Sequence, residues 1–348
     1  MSKELIIVTG SSGRIGTQVV KRLGQENPIV GFELLKAIYA SEKEELIPVD
    51  MGSEESVVQA FTHIKNFYGT KIKSVIHLAA YYSFSEQHSP KYDQITVKGT
   101  ERLLKELKNF EVEQFIFTST MLVHAPTKPG MPIVEEAPIH PTWDYPLSKA
   151  QTEKIIHELR GSIPTVILRI AGVYDDGCNS IPISHQIQRI YEKKLISRLF
   201  AGNIHHGACF VHMDDVVNAI TLAVQKRKEL PPETVLLIGE DKTLSYDAMQ
   251  REISCLLFGK EFKTYSVPKW FAKMGAFLQC LFAFKHQPFI RPWMIDFADD
   301  HYELDTSKAK QLLGWEPKHS LEVTLPMMTE DLLKDPQKWY TRNHLNGK

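Results

Sequence analysis

Thr9-Gly10-Ser11-Ser12-Gly13-Arg14-Ile15-Gly16 decides how this chain folds. The four residues before it, Leu5-Ile6-Ile7-Val8, form an apolar run of strand length. The residues after it place Ile15, Val19, Val20 and Leu23 at helical spacing. Glycines between a strand and a helix permit a tight turn and let backbone N–H groups approach a pyrophosphate at the helix N-terminus. Alone the string is common; between the first strand and first helix of an alternating chain it is a dinucleotide-binding signature.

Further runs of strand length follow at 29–32, 46–49, 75–78, 115–117 and 166–170, with helical spacing between them, as in Leu103-Leu104-Leu107. Strands alternating with helices predict βαβ units and a parallel sheet covered on both faces. Later come a strand at 209–212, a helix over 214–226, a strand at 235–238 and a helix from about Ser245. Beyond residue 260 the prolines thicken, which reads as a smaller, more helical lobe. The expected fold is α/β, a doubly wound parallel sheet. Residues 1–170 with roughly 209–240 make the nucleotide-binding domain, and 171–208 with 241–348 the substrate lobe.

Composition excludes several classes of function. A net charge of −1 implies no basic surface for nucleic acid. Cys178, Cys209, Cys255 and Cys280 form no C-x-x-C pair, so neither a zinc knuckle nor a redox motif is expected; they read as small buried residues in a reducing cytoplasm. No metal site is expected, and the adjacent His205 and His206 read as a solvated loop. The N-terminal apolar run is too short for a signal peptide. The stretch 270–284 carries Lys273 and Gln279 and falls short of the roughly 20 residues of a bilayer span. It reads as an amphipathic helix, with membrane-surface contact a minor alternative. Within it Trp270, Phe271, Met274, Phe277, Leu278 and Leu281 have helical spacing and read as core before substrate wall.

Glu33 closes the second strand about 20 residues past the glycines, where a carboxylate accepts from adenosine ribose hydroxyls and repels the extra phosphate of NADP. Arg14 is the opposing signal, a cation able to hold that phosphate; the balance favours NAD. Asp50 and Met51 are placed for the adenine, and Leu78, Ala79 and Ala80 for close passage of the dinucleotide. His77 reads as a satisfied strand-end histidine. Backbone of Gly10, Ser12, Gly13, Arg14, Ile15 and Gly16 would line the pyrophosphate.

Tyr145-Pro146-Leu147-Ser148-Lys149 puts Tyr145 and Lys149 on one helix face. Oxidising a secondary alcohol removes its proton as the hydride leaves. Free tyrosine has a pKa of about 10; lowering it by about three units takes roughly 4 kcal/mol, which a neighbouring ammonium can supply. In reverse, Tyr145 is the general acid. Lys149 is also placed for the nicotinamide ribose. A third hydroxyl is expected from Thr118-Ser119-Thr120, at the end of the fifth strand.

These strings, with His77–Ala80, Phe210-Val211-His212-Met213-Asp214-Asp215-Val216 and Leu313-Gly314-Trp315-Glu316-Pro317, resemble the extended short-chain dehydrogenase/reductases, the NAD-dependent epimerase/dehydratase family. The resemblance covers nearly the whole chain. It implies a Rossmann-type domain, NAD, a catalytic set of Thr120, Tyr145 and Lys149 with Ser119 beside it, and a homodimer through the Tyr145 helix. Tyr81, His124 and Asn179 are the implied substrate contacts. The chain departs from the family in four places. Met121-Leu122 replace the Asp-Glu pair of dehydratases, Thr96 replaces an Asn, and His124 stands in a V-Y-G position. Ala208-Cys209 lack the Arg that holds nucleotide phosphates, for which Arg189, Arg198, His205 and His206 are possible substitutes. Asp214-Asp215 is expected to cap the next helix. The leading expectation is an NAD-dependent oxidoreductase or epimerase acting on a sugar-like or nucleotide-sugar substrate. The alternatives are a 3β-hydroxysteroid-dehydrogenase-like enzyme acting on a lipophilic alcohol and a non-catalytic NAD-sensing regulator.

Overall fold

A computed structural model describes residues 4–34, 44–83, 87–282 and 289–345. The sheet contains β1 (Leu5–Thr9), β2 (Ile29–Glu33), β3 (Glu44–Pro48), β4 (Lys71–His77), the two-residue β5 (Glu111–Val112), β6 (Phe115–Thr120), β7 (Thr165–Ile170) and, after a long excursion, β11 (Glu233–Ile238). Its order is β11-β7-β6-β4-β1-β2-β3, with β5 beside β4, and every pairing is parallel. The winding reverses between β1 and β4. In open sheets of this kind, ligands bind in the crevice at the carboxyl ends of the strands where the order reverses.

Both sheet faces are covered. On one side α1 (Arg14–Leu23) packs Val19, Val20 and Leu23 into a core shared with α6 (Met213–Gln225) and α9 (Ser307–Leu313). On the other, α2 (Glu54–Tyr68), α3 (Lys98–Leu107) and α4 (Asp144–Leu159) pack Phe61, Leu103, Leu104 and Ile156 onto the strands. A separate core joins α5 (Ile181–Tyr191), α7 (Tyr246–Phe258), α10 (Leu321–Lys334) and α11 (Pro336–Arg342). Short parallel pairs connect the lobes: β8 (Gly172–Tyr174) with β10 (Phe210–His212), and β9 (Leu199–Ala201) with β12 (Tyr265–Val267).

Two expectations are corrected. Asp215 does not cap its helix. The N-cap of α6 is His212, whose Nδ1 accepts the Asp214 N–H at 3.2 Å. Its Nε2 lies 3.3 Å from Asp176. Asp215, 1% exposed, instead accepts the N–H groups of Lys318 and His319 at 3.0 Å each. Its backbone carbonyl takes the indole N–H of buried Trp315 at 2.9 Å. One side chain thus clamps the C-terminal segment to the start of α6, which packs on the main sheet.

The second correction concerns α8 (Lys269–Phe282). Its packed face is Ala272 and Ala276, set against Ala201 and Ile295. Trp270, Phe271, Met274, Phe277, Leu278 and Leu281 point outward, 44–69% exposed. Periodicity announces two faces but not which one meets the core; here the small residues do. Residues 283–284 of the predicted stretch lie outside the described residues.

Asp215→Ala orphans two backbone donors and should lower folding stability by about 1.5–3 kcal/mol. Urea unfolding monitored by tryptophan fluorescence measures this, and Asp215→Asn, which keeps one acceptor, should recover part of the loss.

Candidate active site

The site lies in the crevice at the winding reversal, and the glycine loop forms its floor. Gly10 has φ +67°, and a Cβ on it would lie 3.0 Å from the Ala79 nitrogen. A Cβ on Gly16 would sit 2.2 Å from the Gly10 carbonyl oxygen. Side chains at these two positions are therefore sterically barred. α1 starts at Arg14 with Gly13 as its N-cap, and no side chain caps its first N–H groups. The hydroxyls of Ser11 and Ser12 are buried without a partner among the described residues. Uncapped N–H groups and the orphaned Ser12 hydroxyl, beside a turn that admits no Cβ, suit a pyrophosphate.

A relay of hydrogen bonds ties this loop to the next strand. Thr9 Oγ1 accepts the N–H groups of Leu78 at 3.2 Å and Ala79 at 3.1 Å, and pairs with His77 Nδ1 at 2.7 Å. His77 Nε2 meets Thr100 Oγ1 at 2.8 Å, Thr100 donates to the Thr96 carbonyl at 2.6 Å, and Thr96 Oγ1 accepts the Tyr81 N–H at 2.9 Å. His77 is thus a partnered structural histidine, as expected. Burial, with Lys149 second, pushes it down to about 3, so it stays neutral. Thr96, standing where the resemblance leads one to expect Asn, is buried as a link in this relay.

The Glu33 carboxylate ends β2 beside the loop and accepts the N–H groups of Ser12 at 3.2 Å and Leu34 at 2.9 Å. Arg14 turns elsewhere, pairing with Asp175 at 3.2 Å. Asn179 joins that pair through its side-chain amide, 2.9 Å from the same carboxylate. Asp50 is exposed and accepts the Gly52 N–H at 2.7 Å, while Met51 is buried against Gly99.

Tyr145 occupies the first turn of α4 and Lys149 the next. The Tyr145 side chain lies beside Thr120, the last residue of β6, whose hydroxyl favours its ionisation. Lys149 Nζ donates to the Thr118 carbonyl at 2.7 Å and lies 4.6 Å from the Phe117 ring centroid. Strand end and helix thus bring Thr120 to a pair one helical turn apart on α4. Burial dominates the electrostatics of the pair. Burial pushes Tyr145 up to about 12, against the influence of the Thr120 hydroxyl, and pulls Lys149 down to about 7, against the pull of Glu153. Desolvation disfavours both charged forms, and the ammonium is directed at a carbonyl.

Sequence reading stopped at Lys149 and missed the next turn of α4. Glu153 accepts from the Ser119 hydroxyl and from Arg169 of β7, Nη2 at 2.7 Å and Nε at 3.1 Å. Arg169 Nη1 reaches the Glu135 carbonyl at 2.7 Å and His124 Nε2 at 3.0 Å, and His124 Nδ1 meets the Ala137 carbonyl at 3.1 Å. His124 is fully buried with both ring nitrogens engaged. Its expected substrate contact is therefore corrected: it braces Arg169. The signal for Glu153 was its i+4 spacing from Lys149.

Aromatic rings surround Tyr145. Tyr82 lies 4.8 Å from it, Trp143 5.5 Å and Tyr92 6.5 Å, with Trp293 5.6 Å beyond Trp143. Tyr81 packs edge-on against Tyr92 at 5.0 Å. Of the substitute cations, Arg198 lies over the Phe262 ring at 4.4 Å and His206 Nδ1 meets the Asp299 carbonyl at 2.6 Å. Arg189 keeps a buried Nε without a hydrogen-bond partner among the described residues.

The sequence profile of the NAD dependent epimerase/dehydratase family matches residues 6–239. The 3 beta-hydroxysteroid dehydrogenase type 7 of Homo sapiens is 27% identical over 360 residues, covering 92% of this chain and 93% of that protein. The UDP-glucose 4-epimerase of Vibrio cholerae is 26% identical over 324 residues, covering 91% and 92%. Among solved structures, the UDP-glucose 4-epimerase of Thermotoga maritima with UDP-glucose is 22% identical with a TM-score of 0.71, covering 96% of this chain and all of the other. UDP-glucuronic acid 4-epimerase from Bacillus cereus, in complex with UDP-glucuronic acid and NAD, is 20% identical with a TM-score of 0.70, covering 95% and 99%. These likenesses establish the shared fold.

Because Lys149 is held near 7 when folded, against an ordinary value of 10.5, the unfolded chain keeps a proton that the folded one releases between those values. Stability therefore rises with pH through that window. Lys149→Met, which removes the buried ammonium, should be more stable than the parent by about 2 kcal/mol below pH 7. That advantage should shrink as pH rises toward 10.5, as measured by denaturant unfolding across a pH series.

Proposed function

The chain belongs to the NAD dependent epimerase/dehydratase family, and we propose that it moves a hydride on or off a hydroxyl-bearing carbon with Thr120, Tyr145 and Lys149 as its catalytic set. The observation carrying this reading is the convergence at the end of β6 of Thr120, Tyr145 and, one helical turn on, Lys149, whose Nζ donates to the Thr118 carbonyl at 2.7 Å. The family is enzymatic and NAD-dependent; NAD, when bound, takes or returns the hydride. In this reading the backbone of Gly10, Ser12, Gly13, Ile15 and Gly16 holds the pyrophosphate, with Arg14 at its edge. Glu33 takes the adenosine ribose, Asp50 and Met51 the adenine, and Leu78, Ala79 and Ala80 line the dinucleotide's path. Ser119, Tyr145 and Lys149 face the nicotinamide end. The pairing of Arg14 with Asp175, beside a Glu33 carboxylate held at the end of β2 by the Ser12 and Leu34 N–H groups, supports NAD over NADP.

Tyr145, held protonated by burial, is set to donate to a developing alkoxide that Thr120 orients. Lys149, held near 7, is the member of the pair able to change charge at neutral pH. The aromatic rings around Tyr145 support a lipophilic alcohol or ketone as substrate, the kind of compound named in the hydroxysteroid dehydrogenase relative. A nucleotide sugar is the second reading, favoured by the unpartnered Nε of Arg189 and by the epimerase relatives. A non-catalytic NAD sensor is disfavoured because all three catalytic groups are present. Tyr81 and Asn179 border the substrate side, 171–208 with 241–348 forming that lobe and 1–170 with 209–240 the cofactor domain. We further read the protein as a cytoplasmic homodimer paired through α4; the four free cysteines suit a reducing compartment.

Tyr145→Phe should lower turnover by about three orders of magnitude while changing NAD affinity less than about two-fold. The assay pairs nicotinamide absorbance, across lipophilic alcohols and UDP-sugars, with a fluorescence titration of NAD. Unchanged turnover would overturn the catalytic assignment. Glu33→Ala should narrow the preference for NAD over NADP by about ten-fold in the same titration, because one charge repulsion is removed.

A further inference from the structure

The helix α8 is turned inside out. Its packed side is alanine, and its outward side is a stripe of Trp270, Phe271, Met274, Phe277, Leu278 and Leu281, each at least 44% exposed. Single exposed apolar residues need no explanation, but six on one 14-residue helix do. From the outward face we infer that α8 docks flat on an anionic lipid surface. This inference is independent of the catalytic reading.

Length rules out a span. At about 1.5 Å per residue the helix is about 21 Å long, against a hydrocarbon core of about 30 Å. No described helix is long and apolar enough to cross a membrane. A short helix with a wide apolar face and lysines at its margin lies in the interface plane instead. Here the margin is Lys269 and Lys273, flanking the stripe.

Charge selects the occupant. Residues 193–203 and 258–282 hold seven Lys or Arg and one acid, Glu261; neighbouring acids neutralise three of the seven, Glu192 pairing Lys194 while Asp299 and Asp296 pair Lys269 and Lys273. These two segments meet through β9 and β12, and β12 leads through Pro268 into α8. Lys193, Arg198, Lys260 and Lys263 have no carboxylate within salt-bridge distance among the described residues; three of them lie over aromatic rings. Leu199 and Tyr265, register partners on the strand pair, extend the exposed apolar surface of this lobe. A second copy of the chain would bring this cationic lobe against itself, whereas anionic headgroups complement it.

The full-length protein is tested by flotation with vesicles of equimolar phosphatidylcholine and phosphatidylglycerol, and with phosphatidylcholine alone. The expected result is capture by the mixed vesicles, weaker capture by the neutral ones, and loss as salt rises. The triple variant Trp270→Ser, Phe277→Ser, Leu281→Ser should bind mixed vesicles about ten-fold less or worse, with its melting temperature and NAD affinity unchanged because these side chains touch no core. Brominated lipids should quench wild-type tryptophan fluorescence more than that of Trp270→Phe, a substitution that keeps the stripe. Failure to float, equal binding by the triple variant or equal quenching would each overturn the proposal. Self-association in sedimentation that the triple variant abolishes, with no flotation, would assign the stripe to a second copy and overturn it as well.

Discussion

The hydroxyl of Thr9 holds two strand ends together at the point where the sheet changes winding direction. It accepts the N–H groups of Leu78 and Ala79 and engages His77, so β1 and β4 leave the sheet side by side. The crevice between them exists because the strand order departs in opposite directions from this pair. The glycine loop fits because the Ala79 backbone already occupies the space that a side chain at Gly10 would need. His77 then carries the same relay to Thr100, Thr96 and Tyr81. One hydroxyl therefore sets the floor of the crevice and, four hydrogen bonds later, the backbone at Tyr81.

Burial governs the chemistry above that floor. Desolvation holds Tyr145 in its neutral form and brings Lys149 down to about 7, so Tyr145 brings no charge to the crevice and Lys149 one that changes near neutral pH. The permanent charges lie one turn further along α4, where Glu153 and Arg169 satisfy each other, 11% and 7% exposed, through two hydrogen bonds. Such a pair contributes little net stability but is costly to break, and its worth lies in fixing neighbours. Its neighbours are Ser119 on one side and His124 with Glu135 on the other. The end of β6 is thereby held by a polar scaffold behind the aromatic wall.

Much of this was legible in the residues. The glycine loop could be placed because a strand and a helix frame it, and the sheet because β-branched runs alternate with helical spacing. Tyr145 and Lys149 could be paired because four residues make one helical turn. What was not legible depends on long-range partners. The Asp214-Asp215 pair looks like a cap, and only the arrival of Lys318 and His319 shows Asp215 to be a clamp. His124 looks like a polar intruder until Arg169 is placed beside it. The six apolar residues of α8 have the spacing of a core face, and the alanines that make the true packed face carry no signal of their own. Glu153 was missed for a different reason: its spacing was in view, but its partner on β7 was not.

The late return of β11 bears on how the chain must be made. β7 is buried throughout, and its outer edge pairs with β11 in a register running from Glu233↔Thr165 to Ile238↔Ile170. A ribosome delivering the chain from the N-terminus releases β7 with that edge bare and completes the cover only after the intervening residues are made. At roughly 5–20 residues per second this interval lasts from a few seconds to about fifteen. During it Thr165-Val166-Ile167-Leu168 is an apolar, uncharged edge open to pairing with other chains. Arg169 is the only charge in the strand, and its eventual partner Glu153 has already been made. The pair that scaffolds the finished crevice is thus in place early enough to act as a gatekeeper against aggregation during synthesis.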